Sequence, residues 1–137
     1  SALMMHDLPH DARLVAGDEF SADAGLRAGL ELLSLPEDIR PTAVFAANDA
    51  IALGVYQAAR QLGLHVPDDL SVVGFDDSLL APLVTPPLTT VSQPLEDMGA
   101  AAVRTLADIS QSRPVTGGPI RLATSLSVRA STAPPAR

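Results

Sequence analysis

The chain contains no cysteine and no lysine. Without cysteine there is no disulfide framework and no thiolate metal site. All nine cations are arginines, set against sixteen carboxylates, for a formal charge of 9 − 16 = −7. An acidic chain without a basic cluster is a poor partner for phosphate backbones, so direct contact with DNA is not expected of it. No apolar run reaches the roughly 18 residues that a membrane span needs. The opening SALMMHDLPH lacks both a basic n-region and a long apolar h-region, so it does not read as a secretory signal.

At 137 residues, 47% of them hydrophobic, the chain suits one compact domain with a buried core. Leu3, Met4, Met5 and Leu8 resemble the end of an amphipathic helix, stopped by Pro9. Arg13 to Ala16 is a short strand candidate. Ser21 can N-cap a helix carrying Leu26, Leu30 and Leu33. TAVFAA (42–47) is a second strand, followed by a helix with Ile51, Val55, Ala58 and Leu62 on one face and Gly63 placed as its C′ residue. SVVGF (71–75) and LTTVS (88–92) are further strands. Pro94 fits the first turn of a helix bearing Leu95, Met98, Ala102, Leu106 and Ile109. Ile120 to Val128 alternates apolar with polar, which predicts a strand with one covered face, and Gly117 and Gly118 turn the chain before it. STAPPAR (131–137) reads as a loose tail. Strands alternating with helices, the early ones continuously apolar, predict an α/β fold with a mostly parallel, doubly wound sheet covered on both faces.

In such sheets ligands bind beyond the carboxyl ends of the strands. There the sequence sets Gly17, Asp18 and Phe20 after the first candidate strand, Asn48 and Asp49 after the second, Asp76 and Asp77 after SVVGF, and Gln93 after LTTVS. Carboxylates accept hydrogen bonds, amides donate and accept, and a phenyl offers a flat apolar face. That mixture suits a polyhydroxylated ligand such as a sugar, and equally a nucleobase or a polar amino-acid-like molecule.

Each residue also has a plainer role. Helix capping is the stronger expectation for Asp49 and Asp77, and it is open to Asp76. Asn48 reads equally as a turn residue at positive φ. Asp18 suits a turn, a lone aromatic such as Phe20 suits the core, and His6, His10 and His65 suit solvated loops. Paired acids after parallel strands also occur in magnesium-dependent phosphotransfer sites, where the resembling domains place a lysine beside the phosphoryl group; this chain has none. It has no G-x-S-x-G, no H-E-x-x-H and no Gly-rich phosphate loop. The reading is therefore a non-enzyme with no cofactor and no metal.

The run PTAVFAANDAIALGVYQAARQLGLHVPDDLSVVGFDD, then PPLTTVSQP, then SLSVRAST, closely resembles the effector-binding region of LacI/GalR-family transcriptional repressors, from about Leu8 to Thr132. The resemblance implies a periplasmic-binding-protein-like fold, with two α/β subdomains around an effector and a helix-turn-helix head that reads operator DNA from the cytoplasm. It implies effector contacts at Asn48, Asp76 and Gln93, with Phe20 where the family commonly places an aromatic. Asp49 and Asp77 match the motifs but look structural. It implies a homodimer through the Ala50-to-Gln61 helix and the loop after GFDD, with Ile51, Leu53, Leu79, Leu80, Leu83 and Val84 at the interface. A local core under that loop is the competing expectation.

Set against the family pattern, the chain reads as a fragment. Residues 1–130 correspond to the C-terminal effector subdomain without its first strand, so the sheet is expected to be incomplete or completed by another copy. The 94–111 helix would pack on the absent first subdomain. A secreted sugar-binding protein of a transport system remains the alternative, with the same fold and the same rim chemistry.

Overall fold

The computed structural model describes residues 2–7, 10–114 and 118–135. Four helices, α1 (Ala2–Met5), α2 (Ala22–Leu33), α3 (Asp49–Gln61) and α4 (Leu95–Ser110), accompany four strands, β1 (Ala43–Phe45), β2 (Ser71–Asp76), β3 (Thr89–Ser92) and β4 (Ser125–Ser127). The sheet order is β1-β2-β3-β4. β1 and β3 both run parallel to β2, and β4 closes the edge antiparallel to β3. The expected mostly parallel α/β architecture is present.

The local signals that act through the backbone hold. Ser21 caps α2, its hydroxyl accepting from the Ala24 amide at 3.1 Å. Gly63, at φ +71, follows the C-cap of α3. The core lies between α3 and the sheet face that carries Ala46, Val72 and Leu88, and Leu33 of α2 closes it. α2 and α3 meet at near backbone contact. A Cβ on Gly54 would overlap the Ala22 carbonyl oxygen and the Leu26 amide, and one on Gly25 would overlap the Ile51 carbonyl. Two glycines on facing helices thus set the distance between them.

Four expectations need correction. Arg13 to Ala16 is not a strand: residues 12–14 form a 3-10 turn, and Val15 follows in extended geometry without a sheet partner. A strand forms only where a neighbour supplies a ladder, and none flanks this segment. The sheet is not covered on both faces. Phe45 is 66% exposed on the face away from α3, and Val73, Phe75 and Val91 are only half-buried. The strand predicted over Ile120 to Val128 shrinks to residues 125–127, and its apolar side chains stay exposed because none of the described residues packs on them. The tail is not loose where it begins. Ser131 is buried, donates to the Val72 carbonyl at 2.6 Å and accepts from the Thr89 amide at 2.8 Å, while Ala133 and Ser71 exchange two bonds of 3.0 Å. Leu8, Pro9 and Gly117 lie outside the described residues.

Candidate functional site

Asp76 ends β2 and Gln93 follows β3, so the parallel pairing of Asp76 with Ser92 brings the two side chains together. The Gln93 Nε2 donates to Asp76 Oδ1 at 2.7 Å. Asp76 sits at φ +111 and Asp77 at φ +55. Two consecutive non-glycine residues at positive φ store strain on the order of 1–3 kcal/mol each. Such strain persists only where the surroundings enforce it, and here two carboxylate anchors do so.

The first is Asp77. Its carboxylate accepts from Arg129 Nη2 at 2.7 Å and from the Ser127 hydroxyl at 2.8 Å. Arg129 also donates to the Leu88 carbonyl at 2.8 Å, tying β3, β4 and the end of β2 into one unit. Partial burial pushes the Asp77 carboxyl up, but the Arg129 and Ser127 hydrogen bonds and the guanidinium charge outweigh it and hold the group below the usual carboxylate range.

The second is Asp49, only 2% exposed. It accepts from the Thr90 hydroxyl at 2.6 Å and from the Ser78 amide at 2.6 Å, immediately after the strained pair. Gly74 makes room for it, since a Cβ there would overlap the Asp49 carboxylate. The run SVVGFDD is thereby accounted for: its glycine admits a buried acid from α3, its second aspartate anchors the turn, and its first aspartate points to the rim.

Asn48 is the N-cap of α3, its Oδ1 accepting from the Ile51 amide at 2.8 Å. Its φ is −155, so the positive-φ turn reading is set aside. Capping occupies the oxygen; among the described residues the side-chain nitrogen donates no hydrogen bond to protein. Neither aspartate fills the capping role expected of it, since Asp49 lies inside the helix and Asp77 pairs with Arg129.

Phe20 is 76% exposed rather than in the core. With Asp18, Ala46 and Ala47 it lines a groove beside the carboxyl end of β1. Of the residues placed at the expected interface, Leu79 (89% exposed), Leu80 and Leu83 stand in solvent. Val84 and Ile51 are partly buried and pack against the core. Leu53 and Val84 line a separate cleft of about 670 Å³ with Tyr56 and Pro86. Among the described residues no cluster of three or more histidine, aspartate or glutamate side chains is placed to hold a metal ion. His6, His10 and His65 are exposed, the last beside Asp69 at 3.1 Å.

Sequence reasoning missed Arg129, Ser127 and Thr90 as supports of the rim. Ser127 ends β4 and Arg129 follows two residues on, a period-of-two spacing that is compatible with a shared partner but does not name it.

Residues 1–132 match the family model for a periplasmic binding protein-like domain. The HTH-type transcriptional regulator DegA of Bacillus subtilis is 42% identical over 127 residues, which is 93% of this chain and 37% of that protein. A LacI family transcriptional regulator from Lactobacillus casei with bound sucrose superimposes with a TM-score of 0.81 at 35% identity, covering 95% of this chain and 47% of that one. One from Enterococcus faecium with bound ribose gives 0.84 at 33% identity, covering 97% and 48%. The chain therefore spans less than half the length of these relatives.

Proposed function

We propose that this chain, which belongs to the periplasmic binding protein-like domain family and shares its sequence and fold with LacI-family transcriptional regulators, is the effector-sensing and dimer-forming part of such a repressor, with a sugar as effector. Asp76 accepts from ligand hydroxyls, Gln93 fixes that carboxylate and offers its own carbonyl, and the free Asn48 amide donates. Phe20 gives an apolar wall to the C–H face of the sugar ring. The observation that carries the reading is the Gln93–Asp76 bond of 2.7 Å on a strained backbone. A chain that needed only a turn here would relieve the strain with glycine. Sucrose and ribose in the two solved relatives support a sugar over a nucleobase, and their being regulators favours this role over a transport protein.

The remaining parts follow from burial and charge. Leu79, Leu80 and Leu83 form the centre of a homodimer interface, because three adjacent exposed leucines demand a cover. The apolar stripe of α4 packs on the parent's first subdomain. DNA is read in the cytoplasm by a helix-turn-helix of the parent, not by this acidic chain, and effector binding alters operator affinity through the way the subdomains meet. Half a cleft binds weakly, on the order of millimolar. Isothermal titration of this chain with a panel of sugars including sucrose and ribose should show heat for at least one of them, lost in Asp76→Ala and weakened in Gln93→Ala. Equal heats in all three proteins would refute the assignment.

A further inference from the structure

The rim around Asp76 is built against negative ligands. Asp76 is half-buried, and its hydrogen-bond partner, the Gln93 amide at 2.7 Å, is neutral. Among the described residues no arginine pairs with it. The guanidinium that does reach this end of the sheet, Arg129, is engaged on both arms: one nitrogen bonds Asp77 at 2.7 Å and the other the Leu88 carbonyl at 2.8 Å. It cannot turn to a ligand without releasing the strained turn. On the Phe20 side Arg27 faces Glu19 at 3.5 Å, so that wall is balanced rather than positive. Helix N-termini are the other places that draw an anion. Three helices start beside rim residues: α2 two residues after Phe20, α3 at its cap Asn48, and α4 two residues after Gln93. Each already carries its own acid in the first turn: Asp23 in α2, Asp49 in α3, Glu96 and Asp97 in α4. The positive ends that would hold a phosphate are thus answered from within the chain.

We infer that this edge selects its ligand by charge: it takes an unphosphorylated sugar, takes it more tightly where an ammonium group replaces the hydroxyl that meets Asp76, and turns away sugar phosphates, sugar acids and nucleotides. The inference rests on the sugar reading of the rim and adds the charge of the ligand to it. Its physical reason is the lone carboxylate. A hydroxyl can donate to the second oxygen of Asp76, which no protein donor reaches among the described residues. An ammonium donates there too and supplies the missing counter-charge, which counts for more in a part-buried site than in water. A phosphate dianion or a carboxylate has no proton to donate, and it sets like charge against Asp76 with no cation to offset it. A monosaccharide is shorter than the screening length of about 8 Å at physiological salt, so the position of the charged group on the ring changes the size of the penalty but not its sign.

The test is a nuclear magnetic resonance titration of this chain, read at the side-chain amides of Asn48 and Gln93. The ligands are glucose and ribose, each beside its amino-deoxy forms and its terminal phosphate ester. For a sugar that binds, the phosphate ester should be weaker by about tenfold or more, and at least one amino form tighter by about threefold or more. In Asp76→Asn the phosphate gap should narrow to about threefold or less. Roughly 0.5 M sodium chloride should narrow it in the unaltered chain, which keeps the test independent of how the variant folds. A phosphate ester that binds as tightly as its parent overturns the inference and leaves the sugar reading standing. So does a series in which no amino form exceeds its parent, or a gap that salt leaves unchanged. No movement of either amide with any of these ligands removes the sugar reading, and the inference with it.

Discussion

Helices α3 and α4 are both amphipathic, similar in length and carried by the same chain, yet they meet different fates. α3 buries Asp49, Ala52, Gly54, Val55, Ala58 and Ala59; α4 buries nothing. Leu95, Met98, Val103, Leu106 and Ile109 along α4 stay 41–66% exposed. The contrast teaches that an apolar stripe announces a partner without saying where the partner is. α3 finds its partners in α2 and β2. α4 has the pattern of a packed helix and, among the described residues, no surface to pack on.

The contrast can be broken most severely at the α2–α3 crossing. Gly54→Val should cost about 3 kcal/mol or more and lower the melting temperature by roughly 10 °C, because the new side chain meets Ala22 and Leu26 backbone rather than flexible atoms. Thermal melts followed by circular dichroism would read it. Asp49→Ala should come next, at about 2–4 kcal/mol in urea titrations, since the buried Thr90 hydroxyl and Ser78 amide lose their acceptor.

Smaller and pH-dependent is Asp77→Asn, which should cost about 1–2 kcal/mol near neutrality. The folded carboxyl is held below its unfolded value near 3.9, so its contribution is complete above that pH and fades as pH falls through the lower folded value. Wild type and variant should therefore converge in stability toward the acid end of the scale. A constant gap down to the lowest pH would contradict the Arg129 pairing. The smallest effect is expected on α4. Leu106→Ser should change stability by no more than about 0.5 kcal/mol, whereas Leu33→Ala in α2 should cost about 2–5 kcal/mol. Comparable losses at both positions would mean that α4 packs on this chain after all.

What was legible beforehand follows the range of the forces involved. The Ser21 cap, the Gly63 stop and the strand–helix alternation are set within a few residues, and they stand. Of the residues expected at strand ends, Asp76 and Gln93 meet, because parallel pairing of β2 with β3 carries them to one edge. The Arg13-to-Ala16 strand, the covered face of the last strand and the two-sided cover of the sheet all depended on distant surfaces, and the described residues supply none. Periodicity reports which face of a segment is apolar, whereas coverage depends on what stands opposite. Arg129 illustrates a second limit. Its partner Asp77 lies 52 residues away, and only the antiparallel return of β4 brings them together.

The central claim is that Asn48, Asp76 and Gln93 form one binding edge for a sugar. The most direct measurement is an amide-resolved nuclear magnetic resonance titration of this chain with sucrose and with ribose. The account predicts that, with at least one of them, the side-chain amides of Asn48 and Gln93 and the backbone amide of Asp76 move together and saturate, while Leu79 and Leu106 stay still. No movement at those three positions at sugar concentrations of roughly a hundred millimolar, or movement centred on the exposed leucines instead, would contradict it.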